Sequence, residues 1–203
     1  MLRADGRRAP ALSAIPGALG SLAASSRACR GVSIRFPKPS FSDLLANYST
    51  DRESVHDCPY IYRKRPININ TCAIRMAEAL IIANGLAESR EAIAKLTPRY
   101  GNGKGFLMGK YGYLANLCPH GVARGAGDLG NFLRQQWGPP TLCLTARSEP
   151  LDAPDEMRGR TGVLVFYKMP NYAGQGHNDV WNDTDAVGAA HWDAQRSLFW
   201  ALE

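Results

Sequence analysis

Between Asn70 and Gly85 the chain reads Asn-Thr-Cys-Ala-Ile-Arg-Met-Ala-Glu-Ala-Leu-Ile-Ile-Ala-Asn-Gly, and this run constrains the fold more than any other. Ala73, Ile74, Met76, Ala77, Leu80 and Ile81 make an apolar face wide enough to be buried, so the segment predicts a core helix. Asn70 or Thr71 can cap its start, because a side-chain oxygen there accepts a backbone N–H that the helix leaves unpaired. Asn84-Gly85 supplies the left-handed stop. Cys72 falls in the first turn, at the positive end of the helix dipole, where the nucleophilic thiolate is favoured. A cysteine on an apolar helix is also a common small core residue, so position alone does not assign it chemistry.

The later part of the chain changes character. Thr161-Gly-Val-Leu-Val-Phe-Tyr167 is the strongest strand. Thr141–Thr145 is a shorter one before it, His177 lies in a strand-like run after the glycine-rich Asn171–Gly176, and Ser197–Leu202 is a terminal apolar strand. Ahead of the core helix, Phe41, Leu44, Leu45 and Tyr48 share one face of a short amphipathic helix. Leu86–Leu96 is a further helix, and Asp128–Trp137 another, capped by Asp128, facing the core with Leu129, Phe132, Leu133 and Trp137, and ended at Gly138-Pro139. Helices first and strands afterwards predict an α+β fold with an antiparallel sheet. The cysteine then sits on the helical part, the histidine on the sheet, and a cleft lies between them.

Charge locates the boundary. Residues 1–40 carry seven Lys/Arg against one acidic residue, whereas residues 41–203 carry seventeen of each. The net charge of +6 therefore belongs to the first forty residues. We divide the chain into a basic extension, 1–40, read as disordered in preference to a targeting segment, and one folded domain, 41–203. The balanced domain has no basic face that its composition reveals, which argues against a nucleic-acid binder. No run approaches the ~20 apolar residues of a membrane span. The five cysteines (29, 58, 72, 118 and 143) include no CxxC pair and fit no common zinc spacing. Neither a metal nor another cofactor is expected, and His56 and Cys58 read as incidental residues of a polar loop. The glycine-dense stretch 100–130 lacks the strand and Gly-Lys-Ser/Thr of a phosphate loop. It reads as a loop lining a cleft.

Cysteine first and histidine over a hundred residues later, on separate elements, is the order of papain-like thiol hydrolases. Cys72 is the candidate nucleophile and His177 the candidate base. His191 is a rival base, and His120, after Cys118-Pro119, reads as a surface residue. Trp181 reads as core packing.

The Asn70–Met76 run, Gly176-His177-x-x-x-Trp181-Asn182 and terminal Leu198–Leu202 resemble the type VI secretion amidase effector 4 family. Pro39-Ser40-Phe41 and Trp137-Gly138-Pro139-Pro140 fit the same pattern. The resemblance covers about residues 39–203. It implies a papain-like (NlpC/P60-like) cysteine amidase that cuts the D-glutamyl–diaminopimelate bond of peptidoglycan stem peptides. It further implies an antibacterial toxin, secreted to act in the periplasm of a target bacterium, and a cognate immunity protein as partner. Cys72 then matches the nucleophile and His177 the base. The family's third residue is an Asp in the turn after the histidine strand, which selects Asp185, with Asp183 and Asp179 as alternatives. The family's paired cysteines after that strand are absent, and residues 108–126 look like an insertion. Another thiol hydrolase, or a glycopeptide-binding module on the same fold, would share these features.

Overall fold

A computed structural model describes residues 35–56, 58, 70–99, 105–113, 116–146 and 152–203. The expectations for residues 1–34, for most of the polar approach to Asn70 and for the glycines at 101 and 103 lie outside these. The elements are α1 (Phe41–Asn47), α2 (Cys72–Ala83), α3 (Arg90–Lys95), α4 (Ala126–Trp137), β1 (Leu142–Thr145), β2 (Arg160–Tyr167), β3 (His177–Asp183), β4 (Asp185–Ala186) and β5 (Arg196–Ala201). The strands form an antiparallel sheet in the order β1-β5-β2-β3-β4. The fold is α+β, with the helices ahead of the sheet in the chain.

Helix α1 forms where its apolar period predicts. Ser40 Oγ caps it by accepting the Asp43 N–H at 3.1 Å. Leu44 is fully buried, with Phe41, Leu45 and Tyr48 packed against the core. The packed body begins earlier than position 41. Phe36 is 1% exposed, edge-on to Tyr111 and Phe132, with ring centroids 5.2 and 5.4 Å away. Its N–H donates to Gln136 Oε1, and its carbonyl accepts from Trp137 Nε1. Residues 36–40 thus belong with the domain rather than with the extension.

Every residue of α2 from Cys72 to Ile81 is buried, including Arg75 and Glu78. Buried charges persist only when paired. Arg75 Nη1 donates to the Ser49 carbonyl at 2.6 Å, and Glu78 accepts from Arg90 Nε at 2.9 Å. Strand β2 explains its uninterrupted apolar run. Val163 and Val165 join the helical core with Val180, Leu198 and Trp200. Leu164 and Phe166, pointing the opposite way, join Met157, Trp181, Trp192 and Phe199. A strand covered on both faces needs no polar alternation.

Two helix starts differ from the sequence reading. Ser89 accepts from the Ala92 N–H, so α3 begins only at Arg90. Helix α4 begins at Ala126, with Gly125 at the N-cap. Asp128 lies within the first turn, where its charge still favours the dipole, and its carboxylate accepts from Gln175 Nε2 at 2.9 Å.

Leu80, in the last turn of α2, has no exposed surface. Leu80→Ala is expected to lower unfolding free energy by about 2–5 kcal/mol, read as a reduced urea midpoint at unchanged slope.

Candidate active site

Cys72 is the first residue of α2 and is 2% exposed. Asn70 performs the capping: its Oδ1 accepts the Cys72 N–H at 3.1 Å, while its Nδ2 donates to Tyr172 Oη at 2.6 Å. Thr71 makes no side-chain cap and donates instead to the Arg52 carbonyl. The Cys72 N–H is therefore held by an amide oxygen from two residues upstream.

His177 opens β3 directly after Gly176, whose φ is +129°. A Cβ at Gly176 would run into the Phe166 carbonyl, so only glycine lets the chain enter the strand here. His177 is 8% exposed, and its ring stacks at 6.2 Å on Phe166. Residues two apart on a strand share a face. Accordingly His177 Nε2 lies 3.1 Å from Asp179 Oδ2, which leaves Nδ1 for Cys72. Burial alone would lower the His177 pKa. Its hydrogen bonds to Asp179 and to Cys72 outweigh that and push it up to about 9.

Asp179 has no exposed surface. Its Oδ1 accepts from the backbone N–H of Val180 (2.7 Å) and Gly188 (3.0 Å). Its Oδ2 accepts from Ala189 (2.6 Å) as well as from His177. A Cβ at Gly188 would lie 2.7 Å from Oδ2. Burial, and then the Asp179 charge, drive the neighbouring Tyr48 hydroxyl far above its ordinary pKa, so it stays a neutral donor.

The structure does not bring Asp185 to this group. Asp185 is exposed on the edge strand β4, paired with Asn182 at the far end of β3. It lines a separate depression of about 380 Å³ with Asp152, Arg158 and Trp192. Asp183, also exposed, takes a left-handed turn conformation with φ 61°. The turn predicted to carry the third residue instead carries backbone N–H groups back to Asp179. His191 packs edge-on against His177 at 5.0 Å. Burial, then the His177 charge, lower its pKa. Trp181 is fully buried, with Nε1 donating to the Met157 carbonyl. His120, expected at the surface, is 1% exposed and lies in a second buried cluster with His56, Cys58 and Cys118.

Cys72 opens onto a cleft of about 480 Å³. One wall is Asn116, Arg124, Gly125 and Ala126, and another is the Tyr172–Gly176 loop. The glycine-dense stretch thus does line a cleft. Asp128 links the walls, accepting from Asn116 Nδ2 and Gln175 Nε2. Among the described residues that line it, Arg124 carries a charge. A thiol, an imidazole and a carboxylate in sequence, at the edge of a cleft, can perform nucleophilic acyl transfer.

The family model described as type VI secretion system (T6SS), amidase effector protein 4, matches residues 69–200. The chain is similar in fold to a crystal structure of the Tae4–Tai4 effector–immunity complex from Salmonella Typhimurium. The TM-score is 0.54 and the identity 17%, covering 82% of this chain and 100% of that one. The corresponding complex from Enterobacter cloacae gives 0.54 at 16% identity, with the same coverage. Tae4 from Enterobacter cloacae gives 0.53 at 15%, covering 84% of this chain and 100% of that one. No curated protein sequence matches the chain.

The raised His177 pKa has a definite sign. The stability it supplies is fully present below pH 6.5 and is lost as pH rises through about 9. Histidine resonances followed by NMR should place the wild-type midpoint near 9. In Asp179→Asn it should fall toward the ordinary ~6.5, because burial then meets less opposition.

Proposed function

Because the chain belongs to the type VI secretion amidase effector 4 family, we propose that it is an antibacterial effector that hydrolyses peptidoglycan stem peptides at the D-glutamyl–diaminopimelate amide bond. The site of action on this reading is the periplasm of a target bacterium, and a cognate immunity protein protects the producer. The observation that carries the chemistry is His177, bonded to Asp179 through Nε2 and hydrogen-bonded to Cys72, at the edge of the cleft. A Cys on a helix N-terminus facing a His on an antiparallel strand supports a papain-like arrangement. The choice of bond rests on the family resemblance.

In this mechanism Cys72 Sγ attacks the amide carbonyl as thiolate while His177 holds the proton on Nδ1. The tetrahedral oxyanion takes the Cys72 N–H from Asn70 Oδ1, and losing such a donor typically costs ~3 kcal/mol. His177 then protonates the leaving amine of diaminopimelate, giving a thioester to the glutamyl carbonyl. Water, deprotonated by the now neutral His177, cleaves the thioester and restores the thiol. Asp179 keeps the imidazole in one tautomer and orientation and stabilises its cationic form. Arg124 supplies a cation to pair with a carboxylate of the stem peptide.

Digestion of purified peptidoglycan, with fragments identified by mass, tests the whole reading. Wild type should release fragments cut after D-glutamate and Cys72→Ala none, with its fold intact. Asp179→Ala should lower kcat/KM by roughly 10²–10⁴-fold, whereas Asp185→Ala should leave it unchanged. The reverse ranking of the two aspartates would return the role to Asp185. Rapid alkylation of Cys72 without any digestion would point to another thiol hydrolase. A thiol inert until unfolding would make Cys72 a plain core residue.

A further inference from the structure

The second buried cluster has no part in this chemistry. His56, Cys58, Cys118 and His120 are each 0–1% exposed. The sequence carries them as mirror-image pairs, His-x-Cys at 56–58 and Cys-x-His at 118–120. Within a pair, alternate residues of an extended segment can point the same way. The fold brings the pairs together so that one ligand atom from each of the four residues lies within 4.8 Å of all the others. Cys118 Sγ is 3.5 Å from His56 Nε2, and the two imidazoles meet edge-on at 5.1 Å.

We propose that these four residues form a tetrahedral Cys2His2 zinc site that clasps the segment ahead of α2 to the 117–123 hairpin. Zinc with Zn–S near 2.3 Å and Zn–N near 2.0–2.1 Å sets ligand atoms about 3.3–3.8 Å apart, so a small contraction closes the cluster. Two further features point to a ligand. Both ring nitrogens of His120 are buried and make no hydrogen bond. A neutral imidazole has one donor and one acceptor to satisfy, and a metal at the cluster centre gives His120 a partner. His56 is oriented from behind: its Nδ1 meets Glu78 Oε1 at 2.6 Å, which directs Nε2 at the cluster. Glu78 is itself held by the His56 N–H at 2.8 Å and by Arg90 Nε at 2.9 Å. A carboxylate on the outer nitrogen is the usual second shell of a metal-bound histidine.

Thiolate and imidazole donors select zinc over magnesium or calcium. Two thiolates and two neutral imidazoles cancel the +2 charge, which suits burial. Four protein ligands leave no open position, so the role is structural. That role explains the 108–126 segment. Leu117 and Ala123 bridge, the Arg124 N–H donates to the Asn116 carbonyl at 2.8 Å, and Asn116 and Arg124 both line the cleft. Zinc at the closed end of the hairpin anchors the wall that its open end presents to substrate.

The test uses the full chain, purified with reductant and dialysed. Elemental mass spectrometry should find one zinc per chain. After chelation, titration with cobalt(II) alone should give the visible bands of a tetrahedral site and a near-ultraviolet thiolate charge-transfer band. A chain with Cys29→Ser, Cys72→Ala and Cys143→Ser should keep both signals, and Cys58→Ser with Cys118→Ser should lose them. Chelator should lower Tm of the wild type, and added zinc should restore it. The proposal fails if reduced wild type binds neither ion, or if the spectrum vanishes with Cys29, Cys72 and Cys143. It also fails if protein isolated without reductant carries a Cys58–Cys118 disulfide. The wild-type and triple-variant readings do not depend on the double variant folding. None of these outcomes bears on the amidase assignment.

Discussion

The Asp179 carboxylate, which has no access to solvent, sets the terms for its surroundings. A charge taken out of water must recover its hydration from fixed partners, or it neutralises. Three backbone N–H groups and one imidazole supply them. Two of the N–H groups come from residues 188 and 189, so the chain after β4 has to fold back along β3. Val187 continues the pairing, its N–H donating to the Val180 carbonyl at 2.8 Å. Residue 188 must be small enough to approach the carboxylate, and glycine is. The imidazole is fixed in orientation by the same charge, and burial together with that charge keeps the Tyr48 hydroxyl neutral. One buried anion thus specifies a turn, a glycine and the facing of a histidine.

Much of this was legible in local sequence, and the failures have a common cause. Core helix α2, with Cys72 in its first turn, follows from apolar breadth and polar ends. Strand β3, with His177 at its head, follows from the glycine-rich turn before it. Both are short-range signals. Asp179 shares a face with His177 by simple alternation and was one of three candidates. What distinguishes its surroundings from those of Asp185 is the return of the Gly188 and Ala189 N–H groups, which no local pattern displays. Asp128 is a favoured capping residue and so marks a later start for α4, whereas Gly125 holds that place and Asp128 ties the cleft walls together. The His56, Cys58, Cys118 and His120 cluster escaped because its pairs stand sixty residues apart, and each looks incidental alone. The mirrored one-residue spacing was the available signal.

Helix α2 joins the two buried groups. Cys72 stands at its first turn, and Glu78, six residues on and about 9 Å along the axis, backs the His56 imidazole. The helix is buried throughout this span. Its polar residues are therefore few, and each is committed: Cys72 to His177, Arg75 to the Ser49 carbonyl, Glu78 to His56 and Arg90. A rotation of the helix about its axis would break all of these pairings together. Packing density and polar pairing hold the thiol in one direction.

An exposed hairpin tip is ordinarily where a protein accepts insertions and deletions most readily. The turn from Asp183 to Ala186 has that appearance, being polar and at the sheet edge. Its length is nevertheless constrained from within. The Gly188 and Ala189 N–H groups are consecutive donors in the bend just after β4, so one residue more or less in the turn would carry them away from Asp179 and leave part of an anion bare in the interior. Homologous chains that share this carboxylate should vary freely in the composition of the tip and hardly at all in its length.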